Sequence, residues 1–278
     1  DIPQEMAEKY GIDIMSFHIL LDDVDYVERE SCTNTEFYDK MRLSKGVPST
    51  AAITPIQFCE KYRQYVDEGY TDVIHVPINK SGSSTYNNAL MAQGMLREER
   101  PEHHMKIHLL DPHTYSMVFG WYLCEMARKL KNGAEISHVI QEFEKQMNCM
   151  EIILGPYSLK QMKKSGRISA AAAVMGELMG VRPIITLIDG KTKVESKVRG
   201  DDRVVPAMIE LCKKRADGVE NFDYMIGHTN IKQAEDLEKA CRKAFGKAPL
   251  VVFELGGVVS ANTGPDTVAL VYTGHPRG

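Results

Sequence analysis

Short apolar runs rich in β-branched residues alternate with longer amphipathic segments along this chain of 278 residues. Such alternation is typical of α/β proteins, in which helices cover the faces of a sheet. We predict strands at residues 12–19, 72–78, 106–110, 151–154, 182–188, 193–198, 224–226, 250–254 and 267–271. The length is sufficient for one large or two modest hydrophobic cores.

Two helix starts are marked by capping boxes. Thr33 is followed three residues later by Glu36, and Thr54 is followed in the same way by Gln57. In this motif the threonine hydroxyl and the glutamate or glutamine side chain bond to each other's backbone N–H groups. We therefore predict helices that begin directly after Thr33 and Thr54, and two more between residues 113 and 147.

The order of elements changes in the second half of the chain. Two predicted strands flank Asp189-Gly190, a dipeptide typical of tight hairpins rather than of helical crossovers. We therefore predict an α/β fold with two lobes. Residues 1–152 form an N-terminal parallel-sheet, Rossmann-like lobe, and residues 153–278 form a C-terminal mixed-sheet α/β lobe.

Composition excludes several classes of protein. With 34 basic and 38 acidic residues, the net charge of −4 argues against a nucleic-acid partner, because phosphate backbones bind basic faces. The longest apolar stretch, near residues 170–175, ends at Glu177 and is too short for an integral membrane segment. The six scattered cysteines contain no C-x-x-C pair, which indicates free thiols in a reducing cytoplasm and no zinc site.

Common catalytic motifs are missing from the sequence. There is no G-x-S-x-G, H-E-x-x-H or G-x-G-x-x-G sequence. Gly190-Lys191-Thr192 resembles the end of a P-loop, but Ile185 occupies the position of the phosphate-wrapping glycine. Serine hydrolase, metallohydrolase, dehydrogenase and nucleotide-binding functions therefore lose their usual support.

Hydroxyl-rich segments are the best candidates for a binding site. Residues 79–86 follow a predicted strand and precede a predicted helix, which is where open α/β sheets bind anions. The alternative is that Ser83 only caps this helix. Residues 48–52 form a second such entrance before Thr54, with the same alternative.

Two further polar segments lie in the second half. Gly166-Arg167 joins two predicted helices and can aim a forked guanidinium at an acidic group, although the neighbouring lysines alone indicate a solvated face. Residues 260–266 are predicted as a polar turn, for which a plain reverse turn is the alternative. The 15 methionines suit either an adaptable cavity lining or an ordinary core.

Together these segments resemble the DegV family over essentially the whole chain. The motifs that carry the resemblance are Pro48-Ser49-Thr50, Ser83-Ser84-Thr85-Tyr86, Gly166-Arg167-Ile168-Ser169, Lys197-Val198-Arg199 and Thr263-Gly264-Pro265. The resemblance implies a bacterial protein whose two lobes enclose a long-chain fatty acid, with no other cofactor and no metal. In some members, a fatty acid kinase converts the bound acid to acyl phosphate for phospholipid synthesis. The family thus implies a carrier rather than an enzyme.

The resemblance also implies roles for individual residues. Thr50 and Ser83 match the positions whose hydroxyls bind the carboxylate, and Arg167 matches a basic residue near the head group. The further positions expected to face the head group or the kinase are Ser84, Thr85, Asn262 and Thr263.

Four positions depart from the family pattern: Ala51 replaces a serine, Ser84 a glycine, Pro112 a serine and Asn262 a histidine. Histidine can carry charge or a proton, whereas asparagine offers only neutral hydrogen bonds. The change at residue 262 therefore affects kinase coupling more than it affects carboxylate binding. Two other functions stay open at this point. One is an enzyme that acts on a small phosphorylated or carboxylated metabolite at the same site, and the other is a structural or regulatory protein whose hydroxyls only cap helices.

The start of the chain departs from the family as well. Family members begin with one more apolar strand before the segment that matches Asp1-Ile2-Pro3. A parallel sheet without that strand would leave a neighbouring strand unpaired. We therefore expect roughly ten further native residues before Asp1, given the usual strand length.

Overall fold

The computed structural model describes residues 1–166 and 180–277, and it has the predicted α/β fold with one parallel and one mixed sheet. The first lobe contains α1 (Gln4–Tyr10), β1 (His18–Leu21), β2 (Val24–Val27), α2 (Asn34–Leu43), β3 (Ser49–Ala51), α3 (Pro55–Asp67), β4 (Asp72–His75), α4 (Thr85–Glu99), β5 (Lys106–Leu109), α5 (Met117–Lys131) and α6 (Ile136–Met147).

The first lobe holds a small antiparallel sheet that the sequence analysis missed. Strand β1 lies between β2 and β3, and β4 pairs with β5 in a separate parallel sheet. The predicted strand at residues 12–19 is wrong for most of its length, because pairing begins only at His18. Strands β2 and β3 escaped prediction because they are short and mostly exposed, so neither has a clear apolar alternation.

The second lobe is built on one six-stranded sheet in the order β10-β9-β11-β6-β7-β8, in which only β9 and β10 are parallel. Its elements are β6 (Met150–Pro156), α7 (Lys160–Ser165), β7 (Val181–Ile188), β8 (Lys191–Arg199), α8 (Val204–Arg215), β9 (Tyr224–His228), α9 (Ile231–Phe245), β10 (Val252–Glu254), α10 (Gly257–Thr263) and β11 (Thr267–Thr273). Strand β6 spans the predicted lobe boundary at residues 152 and 153 and pairs along its whole length with β11.

The hairpin turn and the helix starts that the sequence predicts are present in the structure. Asp189 and Gly190 form the predicted hairpin between β7 and β8, both with positive φ (49° and 72°). This is the backbone that a primed two-residue turn requires. Both predicted capping boxes are present at the starts of α2 and α3. Within the described ranges, every helix is too short or too polar to cross a membrane.

Helix α2 joins the two lobes through its side chains. The Tyr38 hydroxyl donates a hydrogen bond to the carbonyl of Leu255. One terminal nitrogen of Arg42 donates to the carbonyl of Pro265 at 2.6 Å and pairs with Asp266 at 3.2 Å. Because guanidinium groups make strong, directional bonds to oxygen, these contacts set the position of the first lobe over α10 and the start of β11.

A buried ion pair ties the second-lobe sheet to its covering helix. The Glu151 carboxylate on β6 is 6% exposed and accepts hydrogen bonds from Arg215 at 2.6 and 3.2 Å and from the Tyr272 hydroxyl at 2.6 Å. Burial acts to raise the pKa of Glu151, but the bonds from Arg215 and Tyr272 outweigh it and hold the pKa below its ordinary value. The ionised carboxylate therefore stabilises the fold above the ordinary carboxyl range, and this stabilisation is lost as the pH falls through the lowered pKa.

We expect Arg215→Met to lower the free energy of unfolding by about 3 kcal/mol at neutral pH, because it leaves a buried carboxylate without its partner. The deficit should shrink on acidification, since protonation of Glu151 removes the unpaired charge. Urea denaturation at several pH values measures both effects. Arg203→Met is the control, because Arg203 is exposed and should change the free energy by less than about 0.5 kcal/mol. A deficit independent of pH would contradict this account of Glu151.

Candidate ligand-binding site

A cavity of about 210 Å³ lies between the two lobes, and we call it the inter-lobe cavity. The first lobe lines it with Phe17, Thr50, Ala51, Ala52, Ile78, Gly82, Ser83, Ser84, Tyr115, Ser116 and Val118. The second lobe lines it with Ile152, Leu154, Leu187, Thr192, Phe253, Leu255, Val258, Val259, Asn262, Thr263, Ala269 and Val271. Five of the seven predicted site residues are in this lining, although they come from three separate parts of the chain.

Thr50 reaches the cavity from strand β3, not from a helix entrance as the sequence suggested. It pairs with Ile19 of β1, which fixes its place in the small antiparallel sheet. Its neighbours in β3, Ser49 and Ala51, are exposed, whereas Thr50 is half-buried. Because successive side chains in a strand point to opposite faces, Ser49 and Thr50 have different environments.

Ser83 both lines the cavity and helps to order the start of α4. Its hydroxyl oxygen accepts the backbone N–H of Thr85 at 3.2 Å and lies 2.6 Å from the Thr85 hydroxyl. Ser83 therefore both stabilises the start of the helix and lines the cavity. Ser84 occupies the N-cap position without a side-chain cap bond, and it also lines the cavity.

Thr85 points elsewhere. It is buried and lines a second, larger cavity of about 640 Å³, together with Tyr62 and His75. Thr85 is the only one of the predicted site residues within the described ranges that lies in this second cavity. Its link to the inter-lobe cavity is the hydrogen bond with Ser83.

Asn262 and Thr263 lie at the end of helix α10, where the sequence analysis expected a turn. The helix includes residues 257–263, and only residues 264–266 form the turn into β11. The Asn262 side-chain amide donates to the carbonyl of Val258 at 2.8 Å. Thr263 contributes to the cavity lining, but its hydroxyl oxygen is buried within the wall and has no hydrogen-bond partner among the described residues. An unpaired buried hydroxyl of this kind costs about 1–3 kcal/mol.

The predicted residue Arg167 lies outside the described residues. Gly166, directly before it, ends α7 in the left-handed conformation with φ 71°.

Close backbone approaches hold the walls of the cavity together. A methyl group on Gly82 would overlap the Tyr115 hydroxyl, and one on Gly190 would overlap the side chains of Asn79 and Ser81. The hairpin turn of the second lobe therefore packs directly on the loop that leads to Ser83. The sequence identified Gly190 as a turn residue, but its contact with the other lobe appears only in the folded chain.

The chemistry of the lining is simple. Its described part has hydroxyl and amide groups, a broad apolar surface, and no Asp, Glu, Lys, Arg or His side chain. Tyr115 and Ser116 are polar lining residues that no sequence motif marks, and Thr192 was named only in the rejected P-loop match. Such a lining can bind an elongated apolar group with one polar end. The described residues also hold no group of His, Cys, Asp or Glu suited to a metal ion.

Comparison with known proteins identifies relatives along nearly the whole chain. The model of the DegV family, described as a family of uncharacterised proteins, matches residues 1–274. A DegV domain-containing protein of Clostridium perfringens is 26% identical over 274 residues, which cover 98% of this chain and 94% of the relative.

Solved structures with the same fold include lipid-binding proteins. A stearic acid-binding protein from Eubacterium ventriosum has a TM-score of 0.89 at 21% identity, covering 99% of this chain and 95% of that one. A fatty-acid-binding DegV family protein from Streptococcus agalactiae has a TM-score of 0.84 at 25% identity, with the same coverage of both chains.

Proposed function

Because the chain belongs to the DegV family, we propose that it binds a long-chain fatty acid in the inter-lobe cavity. The observation that carries the proposal is the division of the lining into neutral hydrogen-bonding groups and an extended apolar surface without charged side chains in its described part. Related structures bind stearic acid and other fatty acids, which supports the same class of ligand.

The apolar surface supplies most of the binding energy in this proposal. Each buried methylene group contributes about 0.8 kcal/mol, so a long acyl chain contributes on the order of 10 kcal/mol before the costs of association. Hydrogen bonds to the carboxylate contribute less and set the orientation of the acid and its preference over an ester. The acyl chain lies against the second-lobe sheet, where Leu154, Ala269 and Val271 line the cavity.

We assign the carboxylate to the hydroxyls of Thr50 and Ser83. Thr263 also lines the cavity, and we keep it as a head-group or kinase-facing residue on the family resemblance. Ser84 and Asn262 line the cavity as well, and Thr85 acts through Ser83 by holding its hydroxyl in place. We keep Arg167 as a head-group residue on the family resemblance alone.

Mass spectrometry of organic extracts from the purified protein is the first test. We expect a long-chain fatty acid in roughly stoichiometric amount, because the burial of a long acyl chain against an apolar lining retains such a ligand during purification. Protein without extractable lipid that also fails to bind added fatty acid would contradict the proposal. Release of a small phosphorylated or carboxylated metabolite instead would favour an enzyme at the same site.

The double variant Thr50→Val, Ser83→Ala tests the carboxylate assignment. We expect fatty-acid affinity to fall by roughly two to four orders of magnitude while the fold survives, because hydrogen bonds to a charged group are each worth about 1.5–3 kcal/mol. Fluorescence displacement measures the affinity, and thermal melting checks the fold. Ser49→Ala is the matched control, since Ser49 is the exposed neighbour of Thr50 in β3. If the double variant, the control and the native chain bind with equal affinity, Thr50 and Ser83 do not bind the carboxylate and have only a structural role.

We further propose that the protein is a cytoplasmic carrier that presents its fatty acid to a fatty acid kinase. The six cysteines are free thiols, as expected in a reducing compartment. In this role the partner enzyme performs the chemistry, since the described lining offers no pair of nucleophile and base. Asn262, which lines the cavity, replaces the histidine of kinase-coupled relatives and offers only neutral hydrogen bonds.

Acyl phosphate formation by an added fatty acid kinase tests the carrier role. We expect product with the native chain loaded with fatty acid, and a rate roughly tenfold higher with Asn262→His, because a positioned histidine contributes charge or proton transfer. Unloaded protein is the control for each. Failure of both loaded proteins to support acyl phosphate formation would remove the kinase from the proposal and leave fatty-acid binding unaffected.

A further inference from the structure

The floor of the inter-lobe cavity is one face of the second-lobe sheet. The pairing register places Phe253, Gly227, Ala269 and Leu154 side by side in one row across four strands. Thr263, one of the polar lining residues, precedes β11, and its carbonyl accepts a hydrogen bond from the Thr267 hydroxyl at 2.9 Å. Ala269 is two residues farther along β11 than Thr267, so this row lies about 7 Å from Thr267.

Phe253, a large residue, and Gly227, which has no side chain, are adjacent in this row. A methyl group on Gly227 would lie 2.9 Å from Cζ and 3.0 Å from Cε2 of Phe253, and 3.1 Å from Cδ2 of Leu255. These separations are well inside the usual distance of about 3.5–4.0 Å between carbon atoms. The Phe253 ring therefore packs directly against the backbone of Gly227, in the space that a side chain at residue 227 would occupy.

Backbone conformation does not explain the glycine. Gly227 is absent from the described residues with positive φ and lies inside the regular pairing of β9 with β10 and β11. Glycine inside a strand weakens it, unless a close approach requires the missing side chain. Here the close approach is that of Phe253 and Leu255, which both line the cavity.

We propose that Gly227 and Phe253 determine the length of acyl chain that the cavity accepts, an inference that rests on the fatty-acid binding proposed above. With glycine at 227 the ring stays low and leaves room above Ala269 for the ligand. A larger residue at 227 would lift Phe253 and Leu255 into the cavity. Each methylene group then excluded from the cavity lowers the affinity about fourfold.

The test compares affinities for a graded series of saturated fatty acids. For Gly227→Ala we expect native affinity for the short acids and a loss of about fourfold per excluded methylene group for the long ones. Gly94→Ala is the matched control, because Gly94 has open space around its Cα and lies in helix α4. It should keep the native dependence on chain length.

Phe253→Leu provides a second test with the opposite sign. The smaller side chain should extend the preference toward longer acids, and its combination with Gly227→Ala should return the length dependence toward the native one. This variant also decides the matter if Gly227→Ala fails to fold. Folded variants with the native length dependence, or with an equal loss for every acid, would overturn the inference while leaving fatty-acid binding in place. A native chain that binds no fatty acid would instead overturn the proposed function.

Discussion

The docking of the two lobes through α2 is the contact on which the site depends. Arg42 and Tyr38 bond to backbone carbonyls of the second lobe, and Glu28 accepts the backbone N–H of Val258 at 2.8 Å. Such bonds are directional, so they fix position as well as adding stability. The inter-lobe cavity has a wall from each lobe, and it exists only while this docking holds.

The proposed carboxylate site would hold an anion without charged side chains, because the described lining contains none. Its described side chains are neutral donors, and the buried Thr263 hydroxyl has no partner among the described residues. Neutral donors accept a carboxylate without leaving a buried cation unpaired when the ligand departs, which would be costly in an apolar environment. A site of this kind suits a protein that must both bind and release its ligand, the role proposed here.

Local signals predicted the elements they act on directly. The capping boxes at Thr33 and Thr54 and the Asp189-Gly190 turn depend on neighbouring residues, and all three are present. Apolar runs predicted the second-lobe strands because that sheet is covered by the first lobe and by helices on its other face. Strands β2 and β3 have no such apolar run and were not predicted. Residues 260–263 have a polar sequence but are helical, because α10 packs against its neighbours.

The sequence by itself determined the α/β class, the hairpin, the main helix starts and, through the family resemblance, a short set of site residues. Tertiary structure alone decided which of these residues share a cavity. Thr50 and Ser83 come to one lining through the folding of the first lobe, and Thr263 joins them through lobe docking, while Thr85 lines the other cavity. The same holds for Gly227, whose missing side chain matters because Phe253 lies over it. Contacts between distant segments depend on pairing register and lobe position, which local propensities do not encode.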